Sequence, residues 1–154
     1  MNAQEFSAGT AEFVTFRVNR QWLGVPVNLV QEVLNAQRVA QVPIAPPEVA
    51  GFLNLRGQIV TALDLRVRLA LDAGDEQASS MNVVIRHNEE LYALLVDEVG
   101  DVLSVRSTAF EAAPQTLDSR WREVCSGIVR REHDLLVVLS ADELLQLDSV
   151  ATSL

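Results

Sequence analysis

Cysteine and long apolar runs are both scarce in this chain. Cys125 is the single cysteine among 154 residues, so no internal disulfide can form, which is compatible with a reducing compartment. The longest apolar stretches, residues 91–96 and 135–139, have the length of strands and fall far short of the roughly 18 residues that a membrane helix needs. Residues 1–11 show no charged segment followed by an apolar block. We therefore expect no signal peptide and no direct membrane insertion.

Positive charge and aromatic side chains are also in short supply. Lys and Arg total 12 against 21 Asp and Glu, which gives a formal net charge of −9, and aromatic residues make up 5% of the chain. Nucleic-acid binding depends on cations that displace the counterions of the phosphates, and single-strand binding adds aromatic side chains between the cations. A small-barrel nucleic-acid-binding module is therefore a poor alternative, and we expect no nucleic-acid partner.

The motifs of the common enzyme classes are missing as well. The sequence holds no Gly-rich phosphate loop, no GxSxG and no HExxH. His87, His133 and Cys125 show no metal-ligand spacing. Asp97 and Asp101 are the most suggestive pair of acids, since they flank a glycine between two predicted strands, where carboxylates either bind a metal or cap turn amides. We expect the structural role, and we expect no catalytic residue, no metal and no cofactor.

The chain does contain a series of short apolar segments with turn residues between them. In residues 12–18, three apolar side chains alternate with polar ones, which is typical of a half-buried strand. Similar segments recur, so roughly nine or ten strands in an all-β fold are expected. The predicted strands are residues 12–18, 22–27, 38–42, 51–56, 58–65, 81–86, 91–96, 100–105, 127–131 and 135–139.

Four short helical segments are predicted, three of them from capping patterns. Such patterns place a side-chain oxygen where it can accept from the free N–H groups of the first turn. The segments are residues 28–34 with Asn28 as the cap, residues 65–71 after Asp64, residues 118–124, and a terminal helix at 141–147 where Ser140 and Glu143 form a capping box. We expect residues 1–11 to be a flexible tail, 72–80 a polar loop and 148–154 a frayed tail.

Four stretches of sequence, taken together, resemble the CheW chemotaxis adaptor family, whose domain also occurs as the regulatory domain of CheA and in CheV. The most specific element is Asn-Leu-Arg-Gly at 54–57, followed at 64–66 by Asp-Leu-Arg. Thr61 departs from the family, many of whose members have proline there. The stretches are 13–16 (FVTF) with 23–25 (LGV) and 30–33 (VQEV); 42–46 (VPIAP) with 51–57 (GFLNLRG); 59–60 (IV) with 64–66 (DLR); and 96–103 (VDEVGDVL).

The resemblance implies a fold and a function. The fold would be two small five-stranded SH3-like β-barrels packed together, with short helices, in a single CheW-like domain over residues 12–147. The function would be that of a non-enzymatic adaptor in the cytoplasm, recruited to membrane receptor arrays. Its partners would be the regulatory domain of a CheA-type histidine kinase and the cytoplasmic tip of a methyl-accepting chemoreceptor. A CheW-type adaptor of a non-flagellar kinase pathway, controlling surface motility or a cyclic dinucleotide, is the alternative.

The resemblance also implies roles for individual residues. Glu32 and Arg56 match a family pair that meets across the fold, and Gly57 is expected to allow an unusual backbone angle. The kinase-binding candidates are Val27, Val30 and Glu32. The receptor-binding or coupling candidates are Asn54, Leu55, Arg56 and Gly57, together with Val83, Val84, Ala93 and Val96, which as strand residues also suit the core. The structural candidates are Gly51, Asp64, Asp97 and Asp101.

Overall fold

The computed structural model describes residues 9–41, 44–71 and 81–146. The predicted loop at 72–80, the predicted C-terminal tail and most of the predicted N-terminal tail lie outside these residues. The predicted tail at 1–11 is too long by at least two residues, because the first strand begins at Thr10 and Ala11 is buried within it.

Strands dominate the described chain, as the all-β prediction requires. Eleven strands are present among the described residues, where nine or ten were expected. They are β1 (Thr10–Val18), β2 (Gln21–Pro26), β3 (Val30–Asn35), β4 (Val49–Leu55), β5 (Gln58–Asp64), β6 (Met81–His87), β7 (Glu90–Val96), β8 (Glu98–Arg106), β9 (Phe110–Glu111), β10 (Cys125–Arg130) and β11 (Leu135–Leu139). The α-helices are α1 (Leu65–Arg68), α2 (Ser119–Val124) and α3 (Ala141–Leu144), with 3-10 helices at Val27–Leu29 and Ser107–Ala109.

The strands form two sheets that use different parts of the chain. A six-stranded sheet has the order β8-β1-β2-β11-β10-β9, and a five-stranded sheet has the order β3-β6-β7-β5-β4. We call them the terminal barrel and the central barrel, because the central barrel's five strands are consecutive and lie between β2 and β8 in the chain. The predicted pair of SH3-like barrels is confirmed, and the two-residue strand β9 gives the terminal barrel a sixth strand.

Three clusters of buried side chains hold this arrangement together. One fills the central barrel and includes Leu53, Val60 and Val84. A second fills the terminal barrel around Phe13 and Leu136. The third and largest draws residues from both sheets and from the helices, so it packs the outer faces of the two barrels against each other. The two barrels therefore form one hydrophobic unit.

The helix predicted at residues 28–34 is wrong. The chain makes one 3-10 turn at Val27–Leu29 and then continues as strand β3, which pairs with β6. The burial of β3 alternates with period two, as a strand requires. The strand predicted at 38–42 is also absent from the described residues of that range, where a single bridge joins Ala40 to Phe52.

The N-caps predicted at Asp64 and Ser140 are present, but the capping box at Ser140 is only half formed, because the Ser140 N–H donates to the Val124 carbonyl at 2.8 Å. The Asp64 side chain accepts from the N–H groups of Arg66 and Val67 at the start of α1. The Ser140 side chain accepts from the Glu143 N–H at the start of α3, which ends at Leu144, earlier than predicted. No helix among the described residues is long and apolar enough to cross a membrane.

Candidate protein-interaction site

Arg56 and Glu32 meet at the open side of the central barrel. Glu32 lies in β3 and Arg56 in the turn after β4, and these strands are the two edges of the five-stranded sheet. The Arg56 guanidinium donates to a Glu32 carboxylate oxygen, and this hydrogen bond, with the charge of Glu32, raises the pKa of Arg56. The Arg56 side chain is 69% exposed and that of Glu32 25%. The contact therefore bridges the two sheet edges while its cationic member faces solvent.

A second link joins the same edges. The Ala40 N–H donates to the Phe52 carbonyl at 2.7 Å, and the Phe52 N–H donates to the Ala40 carbonyl at 2.8 Å. Gly51 makes this approach possible, since a Cβ added there would lie 2.1 Å from the Ala40 carbonyl oxygen. The absence of a side chain at Gly51 therefore allows the β3–β4 connection to lie directly on β4, and this is the structural role we assign to Gly51.

The turn that carries Arg56 has left-handed backbone angles at two consecutive residues. The φ angle is 51° at Arg56 and 87° at Gly57, which agrees with the prediction of an unusual angle at the glycine. The side-chain oxygen of Asn54 accepts from the Gly57 N–H at 2.8 Å. Leu55 is buried in the central barrel, so of the four predicted coupling residues at 54–57 it has almost no surface to offer a partner.

Exposed apolar side chains lie on the strands that carry this ionic contact and on the elements next to them. Val27 is exposed in the 3-10 turn that leads into β3, and Val33 is exposed on β3 itself. Phe52 and Ile59 lie on the outer face of β4 and β5, opposite the residues that fill the barrel, and Ile59 is 66% exposed. Val30 is half-buried against the cluster between the barrels. Apolar surface beside exposed charge is typical of protein interfaces.

Sequence reasoning missed Phe52, Val33 and Ile59. The signal was present for Phe52 and Ile59, since each alternates with a core residue of the same strand. An open groove of about 430 Å³ continues this surface, lined by Ile59 and Thr61 together with Glu89 in the β6–β7 turn and Glu90 at the start of β7.

Four predicted receptor-groove residues lie in the core. Val83, Val84, Ala93 and Val96 are all 0% exposed. Val84 and Ala93 belong to the cluster inside the central barrel, and Val83 and Val96 belong to the cluster between the barrels. These residues take the core position that the sequence also allowed and do not line a surface groove, because one face of β6 and β7 lines the barrel interior and the other packs against the second barrel.

Of the two predicted structural acids, Asp97 makes its contacts through its side chain, whereas the contact of Asp101 is made by its backbone. Asp97 is buried at the crossover from β7 to β8, where it pairs with the buried Arg66 and accepts from the Asn19 N–H at 2.6 Å. Asp101 has an exposed side chain, and its backbone carbonyl accepts from the Thr15 hydroxyl at 2.6 Å. Within residues 9–41, 44–71 and 81–146, no group of three or more His, Cys, Asp or Glu could hold a metal ion.

Two small barrels with an ionic contact set among exposed apolar side chains define a protein-interaction module. Residues 12–149 match the model of the CheW-like domain, and the chain belongs to that family. It is accordingly an adaptor of chemotaxis signalling.

Individual relatives agree over nearly the whole length. The chain is 28% identical to the chemotaxis protein CheW of Klebsiella aerogenes, over 92% of this chain and 89% of the relative. It is 28% identical to the chemotaxis protein CheW of Bacillus subtilis, over 90% and 88%. The crystal structure of the scaffolding protein TtCheW from Thermoanaerobacter tengcongensis superposes with a TM-score of 0.78 at 21% identity, covering 90% of this chain and 94% of that one, which supports the fold.

Proposed function

We propose that the chain couples the regulatory domain of a CheA-type histidine kinase to the cytoplasmic tip of a methyl-accepting chemoreceptor. It does so in the cytoplasm, at membrane receptor arrays, and catalyses no reaction itself. Membership of the CheW-like family supports this proposal, as does a described surface that offers apolar contacts and single charges without a ligand cluster.

The observation that carries the proposal is the Arg56–Glu32 contact and its surroundings. An exposed guanidinium held by a half-buried carboxylate presents a fixed fork of donors to an approaching partner. Val27 and Val30, at the entrance to β3, supply the apolar part of the kinase-binding surface together with Glu32. Residues 54–57 lie at the end of β4, the opposite edge of the same sheet, and we assign to them the coupling of this surface to the receptor side.

The buried residues contribute to this function without touching a partner. Val83, Val84, Ala93 and Val96 form the packed sheet on which the β3 and β4 edges rest. We therefore assign them no direct contact and expect substitutions there to act through folding stability.

The experiment is isothermal calorimetry of the full chain with the isolated regulatory domain of the cognate kinase. We expect the wild-type chain to bind in the micromolar range, which is usual for adaptor contacts of modest area. Arg56→Ala should weaken binding by about tenfold, because a charge-assisted hydrogen bond is lost. Arg56→Lys should restore little, since lysine lacks the planar fork.

Two comparisons make the result specific. Arg106→Ala removes the same charge from an exposed position on β8 of the terminal barrel and should leave binding unchanged. The charge exchange Glu32→Arg with Arg56→Glu should recover part of the affinity if the two residues act mainly on each other. Absence of heat and of co-elution with the wild-type chain at tens of micromolar would contradict the proposed function.

A further inference from the structure

Arg56 occupies a backbone position that an arginine seldom takes. The β4–β5 hairpin turns through Arg56 and Gly57, both at positive φ, as in the two-residue turns that favour Asn or Gly at their first position. The β6–β7 hairpin of the same sheet makes a turn of the same kind through Asn88 and Glu89, with φ angles of 50° and 67°. Arg56 therefore stands where the other hairpin has asparagine.

Such a conformation persists only where neighbouring groups hold it. Packing does not restrain the turn at Gly57, because a Cβ added there would meet nothing within 4 Å. The Asn54 side chain does restrain it, since its oxygen accepts from the Gly57 N–H at 2.8 Å. This bond spans Arg56 and ties the far end of the turn back to β4.

We propose that Asn54 is a positioning residue for Arg56. By holding the Gly57 N–H, the Asn54 side chain keeps the turn in the conformation from which the guanidinium reaches Glu32, and it makes no contact with the partner itself. The inference rests on the proposed function, since the Arg56–Glu32 contact is there the surface that a partner recognises. Asn54 would thus affect binding only by positioning the Arg56 side chain.

The first test needs no partner. In NMR spectra of the full chain, Asn54→Ala should speed hydrogen exchange at the Gly57 amide by about threefold or more, because its acceptor is lost. It should also move the Arg56 guanidinium resonances toward their positions in Glu32→Gln, which marks the broken contact. Asn54→Asp keeps a side-chain oxygen at the same place and should stay close to wild type. If the Arg56 resonances do not respond to Asn54→Ala, the inference is wrong, whether or not any kinase domain binds.

The second test separates positioning from direct contact. Asn54→Ala should weaken binding to the kinase regulatory domain by about three- to tenfold, with recovery in Asn54→Asp. In an Arg56→Ala background, Asn54→Ala should cause no further loss of binding affinity, since Asn54 acts only by positioning Arg56. A loss of equal size in that background would make Asn54 a contact residue and overturn the inference. If the wild-type chain binds the kinase domain and Asn54→Ala binds it with the same affinity, the inference is also wrong.

Discussion

Tyr92 shows at the scale of one residue how the sheet surface changes the chemistry of a side chain. It is the chain's single tyrosine, and its hydroxyl donates to a Glu90 carboxylate oxygen at 2.8 Å. Burial against the sheet, then this hydrogen bond, then the charge of Glu90 raise the pKa of Tyr92 to about 12. All three causes favour the protonated phenol.

A titration of tyrosinate absorbance therefore follows Tyr92 alone. We expect its midpoint near pH 12 rather than 10. Because the pKa of the folded state is raised above that of the unfolded chain, the stabilisation is complete below about pH 10 and is lost as the pH rises toward 12. Glu90→Gln should lower the midpoint only in part, since burial is the largest cause. Circular dichroism at each pH checks that the chain stays folded, and a midpoint near 10 in folded protein would contradict the expectation.

Single residues also show where sequence reasoning succeeded and where it stopped. The pairing of Glu32 with Arg56 could be expected from the family resemblance, although the two are separated by 24 positions. For Val83 and Val96 the sequence left a groove position and a core position both open, because alternation assigns residues to two faces of a strand without telling which face meets solvent. In β6 and β7 neither face does, since a second barrel covers the outer one.

At the scale of elements, β4 contains one glycine and is followed by another, and the two glycines are needed for different reasons. At Gly51 a side chain would collide with the backbone carbonyl of Ala40 at 2.1 Å. At Gly57 there is open space, and the constraint is the left-handed φ of 87°. One glycine permits contact between two segments, and the other permits a turn.

These two constraints predict that replacing the two glycines by alanine lowers the free energy of unfolding by different amounts. Gly51→Ala should lower the free energy of unfolding by about 3 kcal/mol or more, because a backbone contact cannot give way as a flexible side chain can. Gly57→Ala should cost about 1 kcal/mol, the strain of one L-residue in the left-handed region. Urea denaturation of both variants measures the difference. Equal costs would mean that the Ala40–Phe52 bridge is dispensable.

The error at β3 has a physical origin in the position of this strand. Leu29, Val30, Val33 and Leu34 have helical spacing, yet the segment is a strand at the edge of a barrel. Leu34 packs into the central barrel while Val30 packs against the cluster between the barrels. The half-buried face of β3 carries the acid Glu32 between Val30 and Leu34, while the apolar Val33 is exposed on the other face. The apolar–polar alternation that distinguishes a strand from a helix is therefore hidden in the sequence. The strand predicted at 12–18 is present as β1, although β1 begins two residues earlier and is buried on both faces.

At the scale of the whole molecule, a buried polar cluster joins the two barrels where the chain crosses between them. Asp97 follows the last strand of the central barrel, and Arg66 in α1 follows another of its strands. Asn19 lies in the first hairpin of the terminal barrel, where its side-chain oxygen accepts from Arg66 Nε at 2.8 Å and its N–H donates to Asp97. This cluster fixes the relative position of the barrels at one end of their shared core.

Removing one charge from this cluster should lower the stability of the folded chain. Asp97→Ala should lower the free energy of unfolding by about 3–5 kcal/mol, because the Arg66 guanidinium is left buried without its carboxylate. Adding Arg66→Met should recover part of the loss, since the uncompensated charge is then removed. Glu98→Ala, which breaks a neighbouring exposed pair with Arg17, should cost at most about 1 kcal/mol. Denaturant unfolding measures all three, and a loss below 1 kcal/mol in Asp97→Ala would show that the barrels are positioned by apolar packing alone.

Because the central barrel lies between β2 and β8 in the chain, its strands are synthesised before most strands of the terminal barrel. During translation all five of its strands leave the ribosome before β8, β10 and β11, so the central barrel can close while its neighbour is still two strands. The outer face of that early barrel, with Val83, Ile85 and Leu94, is the face that the finished terminal barrel covers. Until the last third of the chain has been made, this apolar face therefore lacks the part of its cover that β10, β11 and the last two helices supply.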